Sequence, residues 1–275
     1  MHFENLKAVI LDWAGTAVDY GSLAPVAALQ RIFEENGVAI SAAEARQDMG
    51  LLKKDHIRRI LSGQRLREEW SRVYGEAPSE RDVERLFADF LPKQASILAE
   101  FSEPIAGVCE TVTAWRDAGL KIGSTTGYTR ALLDAVIDVA AQHGYRPDAS
   151  VTPDQVGAGR PAPFMCYRNA IELQTFPLSA FVKIGDTPSD IAEGLNAGMW
   201  TIGISMTGNE IGLSRRDFEA RPPEQQGALK ARACSRLSQA GAHFIAPSVA
   251  ECNEFLREID RRLASGERPS PRQVT

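Results

Sequence analysis

The stretch that decides the fold is LKAVILDWAGT, residues 6 to 16. Its first half is a continuous apolar run rich in β-branched side chains, which is typical of a strand buried on both faces, and Gly15 then ends the run. Asp12 follows the apolar residues directly. The segment therefore predicts a central strand with a polar loop at its carboxyl end, where parallel sheets bind their ligands.

Later apolar runs repeat this character and alternate with segments that have helical spacing. The strand-like runs are KIGSTT (121 to 126), ASVT (149 to 152), AFVKIGD (180 to 186) and WTIGIS (200 to 205). The helical segments are GVCETVTAWRDAG, TRALLDAVIDVAAQHG, PFMCYRNAIELQ and PSDIAEGLNAG. Strictly alternating strands and helices predict an α/β fold, a doubly wound parallel sheet with helices on both faces.

Residues 20 to 100 interrupt this alternation, because every patterned segment among them is helical. We interpret them as an inserted α-helical cap. The predicted core domain is residues 1 to 20 and 104 to 275, and the predicted cap domain is residues 21 to 103. Gly21 and residues 104 to 107 (PIAG) are the expected hinges, since Gly and Pro punctuate helices.

The last part of the chain has weaker patterns. RPPEQQG (221 to 227) is typical of a loop, GAHFIA (241 to 246) of a short strand, and SVAECNEFLREIDRRLA (248 to 264) of an amphipathic helix. The polar tail, residues 265 to 275, is predicted to be disordered.

The composition favours a small-molecule ligand. A formal net charge of -5 and a pI near 5.5 provide no basic field for nucleic acid or an anionic membrane. The chain has no apolar stretch of about 18 residues and starts with a charged segment, so we predict a cytoplasmic protein without a membrane partner. Its four cysteines are far apart and form no C-x-x-C pair, which favours reduced thiols over disulfides or a zinc site.

Two polar clusters follow the first two predicted strands of the core. In D-W-A-G-T, Asp12 can supply an oxygen nucleophile or a metal ligand, although an isolated aspartate at a strand end is more often a helix cap. In S-T-T-G, residues 124 to 127, hydroxyl and backbone N–H groups suit phosphate oxygens, although the sequence alone indicates only a turn.

Two further clusters follow later strands. In G-A-G-R-P-A-P, Arg160 can place a fixed cation against a phosphoryl group, and a surface arginine is the simpler interpretation. In G-D-T-P-S-D, Asp186 and Asp190 lie four residues apart across a strand end and a helix start. Carboxylates that converge there predict a hard-cation site, with Mg²⁺ as the ion.

The order of these clusters over residues 6 to about 205 resembles that of the haloacid dehalogenase superfamily. The first motif of that superfamily usually reads D-x-D-x-T, with a phosphorylated first Asp and a second Asp that acts as general acid and base. This chain has Ala14 at the second position. Ordinary phosphate-ester hydrolysis needs an acid there to protonate the leaving alkoxide.

The insertion contains a segment that can explain the missing acid, MGLLKKDHIR, residues 49 to 58. On a helix, Lys53 and His56 lie one turn apart. The alternative, for a segment with so many cations, is a solvent-exposed basic helix face. Six segments taken together resemble the phosphonoacetaldehyde hydrolase family. They are D-W-A-G-T, V-D-Y-G, M-G-L-L-K-x-D-H-I-R, S-T-T-G-Y-T-R, A-G-R-P-x-P and G-D-T-x-S-D.

That resemblance implies a set of roles, a cofactor and partners. Lys53 forms a Schiff base with phosphonoacetaldehyde, and Asp12 attacks phosphorus. The implied Mg²⁺ ligands are Asp12, the Ala14 main-chain carbonyl and Asp186, with Asp190 in support. Phosphate is bound by Thr126, Gly127 and Arg160. His56, Met49 and Tyr128 shape the imine pocket.

The resemblance also implies a homodimer, formed through cap helices. The aromatic residues that could contribute to it are Trp70, Tyr74, Phe87 and Phe90, for which internal packing is an equal alternative.

Other functions stay open at this point. A sugar-phosphate phosphatase or phosphomutase of the same superfamily is one, and Ala14 and Lys53 count against it. A catalytically silent phosphate-binding or interaction protein is another, and the intact carboxylates disfavour it. If Lys53 is the imine-forming amine, its pKa must be lowered, by desolvation or by Lys54 nearby. His56 is one candidate for activating the water that hydrolyses the aspartyl phosphate.

Overall fold

A computed structural model describes residues 2–49 and 51–270, and it contains one six-stranded parallel sheet with the order β3-β2-β1-β4-β5-β6. The strands are β1 Ala8–Leu11, β2 Lys121–Thr125, β3 Ala149–Val151, β4 Phe181–Gly185, β5 Trp200–Ile204 and β6 Phe244–Ala246. Each predicted strand is present, and the doubly wound sheet is confirmed. The strands β2 and β3 extend the sheet on one side of β1, and β4 to β6 extend it on the other. The crevice beyond the carboxyl end of β1 is therefore the expected ligand site.

Helices fill the connections between the strands. Those of the insertion are α1 Ala24–Glu35, α2 Ala42–Arg46, α3 Lys53–Ser62, α4 Gln64–Tyr74 and α5 Glu80–Leu98. The others are α6 Val108–Asp117, α7 Arg130–Gln142, α8 Phe164–Glu172, α9 Pro188–Asn196, α10 Arg215–Glu219, α11 Pro223–Gln239 and α12 Asn253–Ala264. Among the described residues, no helix combines the length and the apolar composition that crossing a bilayer requires.

Both faces of the sheet are covered. On β1, Val9 and Leu11 pack into a large apolar cluster with α6, α7 and α12, whereas Ala8 and Ile10 pack into a second cluster with α8. Successive side chains of a strand point to opposite faces, so an unbroken apolar run is what a two-sided core requires. This explains why β1, Ala8–Leu11, has no polar alternation.

The insertion has an apolar cluster of its own. Leu29, Phe33, Trp70 and Phe90 are fully buried in it, with α1, α3, α4 and α5 as its walls. The two linkers to the core contact each other, since the Ile105 N–H donates to the Ala17 carbonyl at 2.9 Å. The domain limits at residues 21 to 103 agree with this arrangement and stay a prediction.

Gly21 is fixed at the first linker. Its φ of +90° lies in the left-handed region that favours glycine, and its N–H donates to the Thr207 carbonyl at 2.7 Å. A side chain at this position would also overlap the carbonyl of Leu213. The linker is therefore held against the loop that follows β5.

One expectation for the fold is wrong, and one pair of alternatives is decided for two residues. RPPEQQG is not a loop, because Pro223 begins the long helix α11. Proline is tolerated in the first helical turn, and α11 buries only Ala233 and Leu237, so its sequence shows little amphipathic pattern. For two of the four cap aromatics, Trp70 and Phe90, burial inside the insertion agrees with the alternative of internal packing.

Two further features concern the chain's end and its cysteines. In the predicted disordered tail, residues 265 to 270 form no helix or strand, and residues 271 to 275 lie outside the described residues, as does Gly50 of the segment 49 to 58. No disulfide joins the four cysteines, all of which the structure describes, in agreement with the expected reduced thiols.

Candidate active site

The loop after β1 places Asp12 against Arg160. The Asp12 side chain is buried, and one of its oxygens, Oδ1, accepts a hydrogen bond from Arg160 Nη2 at 2.6 Å. The same nitrogen donates to Thr125 Oγ1 at 2.9 Å. Arg160 is only 5% exposed, which excludes the alternative of a surface arginine. A charged donor is thus fixed beside the carboxylate that follows the central strand, through a single charge-assisted hydrogen bond.

Arg160 belongs to a larger buried network. Its Nε donates to Glu193 Oε2 at 3.0 Å, and its Nη2 lies 3.0 Å from Asp190 Oδ1. Lys183 Nζ, which comes from β4, donates to the same Asp190 oxygen at 2.6 Å. These contacts hold Arg160 in one orientation. They also engage Asp190 in structural ion pairs, because burying a charge without a partner is costly.

Three carboxylates of this network are arranged for a metal ion. Asp12, Asp186 and Asp190 are buried, and each offers an oxygen within 4.8 Å of the other two. Asp186 is oriented by Thr16 Oγ1, which donates to its Oδ1 at 3.1 Å, and by the Asn209 N–H, which donates to its Oδ2 at 2.7 Å. Converging carboxylate oxygens are the donors that Mg²⁺ prefers.

The electrostatics of these carboxylates fit a cation. Burial raises the pKa of Asp186 well above its usual range, and the charges of Asp12 and Asp190 raise it further. Burial also raises the pKa of Asp12, against the opposing charge of Arg160. Burial would raise the pKa of Asp190 as well, but Arg160 and Lys183 outweigh it and hold that pKa below its ordinary value. A divalent ion beside Asp12 and Asp186 would relieve their mutual repulsion.

Lys53 approaches the site from the insertion. It is the first residue of α3 and is 4% exposed, and its Nζ donates to Met49 Sδ at 3.3 Å. Burial lowers the pKa of Lys53 to about 8, and the positive charge of Arg160 adds to this effect, whereas Asp12 opposes it. A helix N-terminus also disfavours a positive charge. The neighbouring cation is therefore Arg160, not Lys54.

Lys54 lies on a different side of α3. Its Nζ is 3.2 Å from Glu84 Oε1 and 3.6 Å from Glu80 Oε1, and about a third of its side chain is exposed. Consecutive helical residues point about 100° apart, which accounts for the separation. Of the two adjacent lysines, Lys53 alone lines the cavity described next.

One small cavity joins the insertion to the core. Its volume is about 30 Å³, enough for roughly two water molecules. The lining residues are Asp12, Ala14, Ser22, Pro25, Met49, Lys53, Thr126, Gly127, Tyr128, Arg160 and Thr187. Most of the predicted site residues are thus brought to one place, with Asp186 and Asp190 in the carboxylate cluster that includes Asp12.

Among the predicted site residues, His56 belongs neither to the cavity lining nor to the carboxylate cluster. It is fully buried on α3, and within the described residues neither ring nitrogen has a hydrogen-bond partner of normal geometry. Burial, together with the charge of Lys53, lowers the pKa of His56 to about 2, against a weak backbone contact with Ala45. A neutral ring within the packed insertion fits a packing role, and its part in the imine pocket stays a prediction.

Sequence reasoning missed several residues of the site. Lys183 and Glu193 anchor Arg160 and Asp190, and Asn209 holds Asp186. A signal existed for the first two: Lys183 interrupts an apolar strand, and Glu193 follows Asp190 by one helical turn on α9. Asn209 lies in an irregular loop, where no periodicity indicates which way a residue faces.

A much larger cavity, about 980 Å³, lies beside the two linkers. Tyr20, Phe101, Met206 and Phe218 are among its walls, and it contains neither Lys53 nor any of the three clustered carboxylates. Size alone does not mark a reactive site, since phosphoryl chemistry requires nucleophiles and fixed charges. The small cavity is therefore the candidate active site.

The fold and this site define the class of protein. A sequence model of the haloacid dehalogenase-like hydrolases matches residues 6–198, which is most of the chain. The protein therefore belongs to the haloacid dehalogenase-like hydrolases. Solved structures under 25% identical, such as a β-phosphoglucomutase from Clostridium difficile with a TM-score of 0.68, share the fold with it.

Comparison with closer relatives shows that, within this class, the chain belongs to the family of the phosphonoacetaldehyde hydrolases. The chain is 45% identical over 264 residues to a phosphonoacetaldehyde hydrolase of Syntrophobacter fumaroxidans, covering 96% of this chain and 95% of the relative. It is 44% identical to one from Bacillus thuringiensis, with 94% and 98% covered. A crystal structure of a phosphonoacetaldehyde hydrolase-like protein from Oleispira antarctica superimposes with a TM-score of 0.94 at 40% identity, with 98% of each chain covered.

Proposed function

We propose that this protein cleaves the carbon–phosphorus bond of phosphonoacetaldehyde with water, giving acetaldehyde and phosphate. The observation that carries the proposal is that Lys53, a buried amine with a lowered pKa, shares one cavity with the buried carboxylate of Asp12. Ala14 lines the same cavity, at the position where related phosphatases have an acid. The names of the close relatives support the same substrate.

The chemistry needs both Lys53 and Asp12. Direct displacement at phosphorus would expel a carbanion, which is a poor leaving group. Condensation of the aldehyde with the Lys53 amine releases water and gives a protonated imine, so cleavage delivers the bonding electrons into a neutral enamine. Protonation of the enamine carbon and hydrolysis of the imine then free acetaldehyde and Lys53.

Asp12 accepts the phosphoryl group in this scheme. Its carboxylate attacks phosphorus, and hydrolysis of the resulting aspartyl phosphate gives inorganic phosphate. Arg160 stabilises the phosphoryl oxygens from its fixed position, and Thr126 and Gly127 bind them from the loop after β2. Met49 and Tyr128 shape the pocket around the imine. Over the whole cycle one water molecule is consumed.

The carboxylate cluster fits Mg²⁺ as the cofactor. Asp12, Asp186 and the Ala14 carbonyl would hold the ion, and Asp190, which is engaged by Lys183 and Thr187, would brace the site. When bound, the ion would neutralise negative charge on Asp12 and on the phosphoryl group, which otherwise repel each other. The network contains more buried carboxylates than buried cations, which supports a need for further positive charge. The carboxylates are Asp12, Asp186, Asp190 and Glu193, and the cations are Arg160 and Lys183.

Access to the cavity requires the cap, residues 21 to 103, to move. A cavity of about 30 Å³ is too small for the substrate, and Lys53 and Asp12 lie on the insertion and the core respectively. We infer that the cap opens to admit the aldehyde and closes to bring amine and carboxylate together. Closure also excludes water from the imine.

A homodimer in the cytoplasm remains part of the proposal. Trp70 and Phe90 cannot contribute to its interface because they are buried, whereas Phe164, Tyr167 and Ile171 on α8 are exposed on one helical face. An exposed apolar helix face favours association through α8. A monomer mass in sedimentation equilibrium would rule the dimer out.

The experiment that tests the function is a phosphate-release assay. Purified protein is incubated with phosphonoacetaldehyde or with common phosphate esters, with Mg²⁺ and after exhaustive chelation. We expect Mg²⁺-dependent release from phosphonoacetaldehyde alone. Preferential release from esters would favour the alternative of a phosphatase or phosphomutase, and release from neither would favour a silent phosphate-binding protein.

Changing Ala14→Asp is expected to reduce phosphonoacetaldehyde cleavage by about tenfold or more without creating an efficient phosphatase. Ala14 lines a cavity of about 30 Å³, so a carboxylate there would take the volume of the imine substrate and add a buried negative charge. Release from phosphonoacetaldehyde and from esters is compared in both proteins. An unaltered phosphonate rate would remove this steric and electrostatic argument.

Covalent trapping at Lys53 by acetaldehyde and cyanoborohydride is expected to rise with pH and to level off above about 8. Only the neutral amine attacks a carbonyl, and burial lowers the pKa of Lys53 to about 8, so the neutral fraction grows as pH passes that value. Nα-acetyl-lysine is the control, with an ordinary pKa of about 10.4. Equal pH profiles for the two amines would contradict the lowered pKa.

A further inference from the structure

Arg46, at the end of α2, connects the insertion to the core at a point outside the cavity. Its Nη1 donates to the carbonyls of Gly21 and Ser22 at 2.9 and 3.1 Å and to Asn209 Oδ1 at 3.2 Å. Asn209 Nδ2 in turn approaches the Arg46 carbonyl at 3.5 Å. One guanidinium thus contacts both the hinge and the loop after β5.

The helix that carries Arg46 is fixed within the insertion. The short helix α2 is capped by Ser41 and Glu44, and Arg65 on α4 donates to Glu44 Oε1 at 2.7 Å. On the opposite side, Gly212 lies directly against the guanidinium, where a side chain would overlap it. The loop after β5 therefore packs closely around Arg46.

The same loop contacts the carboxylate cluster. The backbone N–H of Asn209 donates to Asp186 Oδ2 at 2.7 Å, and Gly208 lies so close to Asp186 that a Cβ would overlap its side chain. Thr207 Oγ1 donates to the Gly15 carbonyl at 2.8 Å, next to Ala14. The loop thus contacts both segments that would supply the Mg²⁺ ligands.

We propose that Arg46 and Asn209 form a latch that couples closure of the cap to the position of Asp186. Arg46 and Asn209 are positioning residues, since neither lines the cavity. With the cap closed, Arg46 holds the side chain of Asn209, and the backbone of Asn209 orients Asp186. Opening the cap withdraws Arg46 and frees the loop, so a competent metal site and a closed cap occur together. This inference rests on the proposed role of Asp186 as a metal ligand.

The test compares wild type, Arg46→Met, Asn209→Ala and the double variant. Arg31→Met is the matched control, because Arg31 is an exposed cap arginine whose ion-pair partner is Glu35. Two quantities are measured: the Mg²⁺ dissociation constant by isothermal titration calorimetry, and the hydrogen-exchange rate of the Gly21 amide without Mg²⁺. The exchange rate reports on the hinge independently of the metal.

For Arg46→Met we expect Mg²⁺ affinity to fall by about tenfold or more, as loss of hydrogen bonds to a charged group does, and Gly21 exchange to accelerate. Asn209→Ala should weaken Mg²⁺ binding similarly, and the double variant should be no weaker than Arg46→Met, because both changes break one connection. Arg31→Met should match wild type.

Any one of three results overturns the latch. Two concern Arg46→Met: an unchanged Mg²⁺ affinity or an unchanged Gly21 exchange rate. The third is a double variant whose loss of affinity is the product of the single losses. Asn209→Ala supplies the same affinity comparison if Arg46→Met does not fold. Failure of the proposed function looks different. If wild type binds no Mg²⁺, the proposed metal site does not exist, and the proposed coupling to it is also excluded. This holds even if Gly21 exchange responds to Arg46→Met.

Discussion

Asp12→Asn is expected to abolish phosphate release from phosphonoacetaldehyde, with a loss of at least about 10⁴-fold, the scale seen when a nucleophile is removed. An amide cannot replace the carboxylate as the nucleophile. The amide oxygen can still accept the hydrogen bond from Arg160, which the Oδ1 atom of Asp12 accepts at 2.6 Å in wild type. The fold should therefore survive the change.

The control for Asp12→Asn is the thermal unfolding curve of the same preparation. Burial raises the pKa of Asp12, so removing this charge also removes part of the cost of burying it, and we expect a melting temperature close to that of wild type. A folded variant that retains turnover near the wild-type rate would exclude Asp12 as the nucleophile.

Lys53→Arg is expected to lose turnover by a similarly large factor. Arginine keeps the positive charge, but a guanidinium stays protonated in proteins and cannot form the imine. Lys54→Arg is the matched control, since it alters the adjacent residue on the side of α3 that pairs with Glu80 and Glu84. An arginine can keep those ion pairs, so Lys54→Arg should retain wild-type activity.

Steady-state phosphate release on both lysine variants, at saturating Mg²⁺, is the measurement. Equal losses in the two variants would show that the segment tolerates no change and would leave Lys53 without a special role. Normal turnover of Lys53→Arg would remove the imine mechanism and reopen the phosphatase alternative.

The sheet was predictable because a strand that is buried on both faces has a continuous apolar sequence. A strand such as β1, whose residues Val9 and Ile10 enter different apolar clusters, cannot contain alternating polar residues. The four loop clusters were also predictable, since parallel strands bring their carboxyl ends to one edge. Topology alone thus gathers Asp12, Arg160 and Asp186.

Other features depend on tertiary contacts that leave no periodic pattern. The helix α11 begins with proline and exposes most of its surface, so local sequence indicated a loop. Asn209 contacts Asp186 through its backbone N–H, a group that every residue except proline has. For His56, helical spacing predicts a ring near Lys53 without saying whether that ring reaches the cavity, and the cavity lining does not include it.

The central claim is that Lys53 bonds covalently to the aldehyde carbon, and peptide mapping after reduction tests it most directly. Borohydride added with phosphonoacetaldehyde, or with acetaldehyde, should reduce the imine, inactivate the enzyme and leave a two-carbon ethyl group on the peptide that contains Lys53. Mass spectrometry with fragmentation distinguishes Lys53 from Lys54 within that peptide. We predict the ethyl group on Lys53, whereas a label on Lys54, or no label on either lysine in an active preparation, would contradict the imine mechanism.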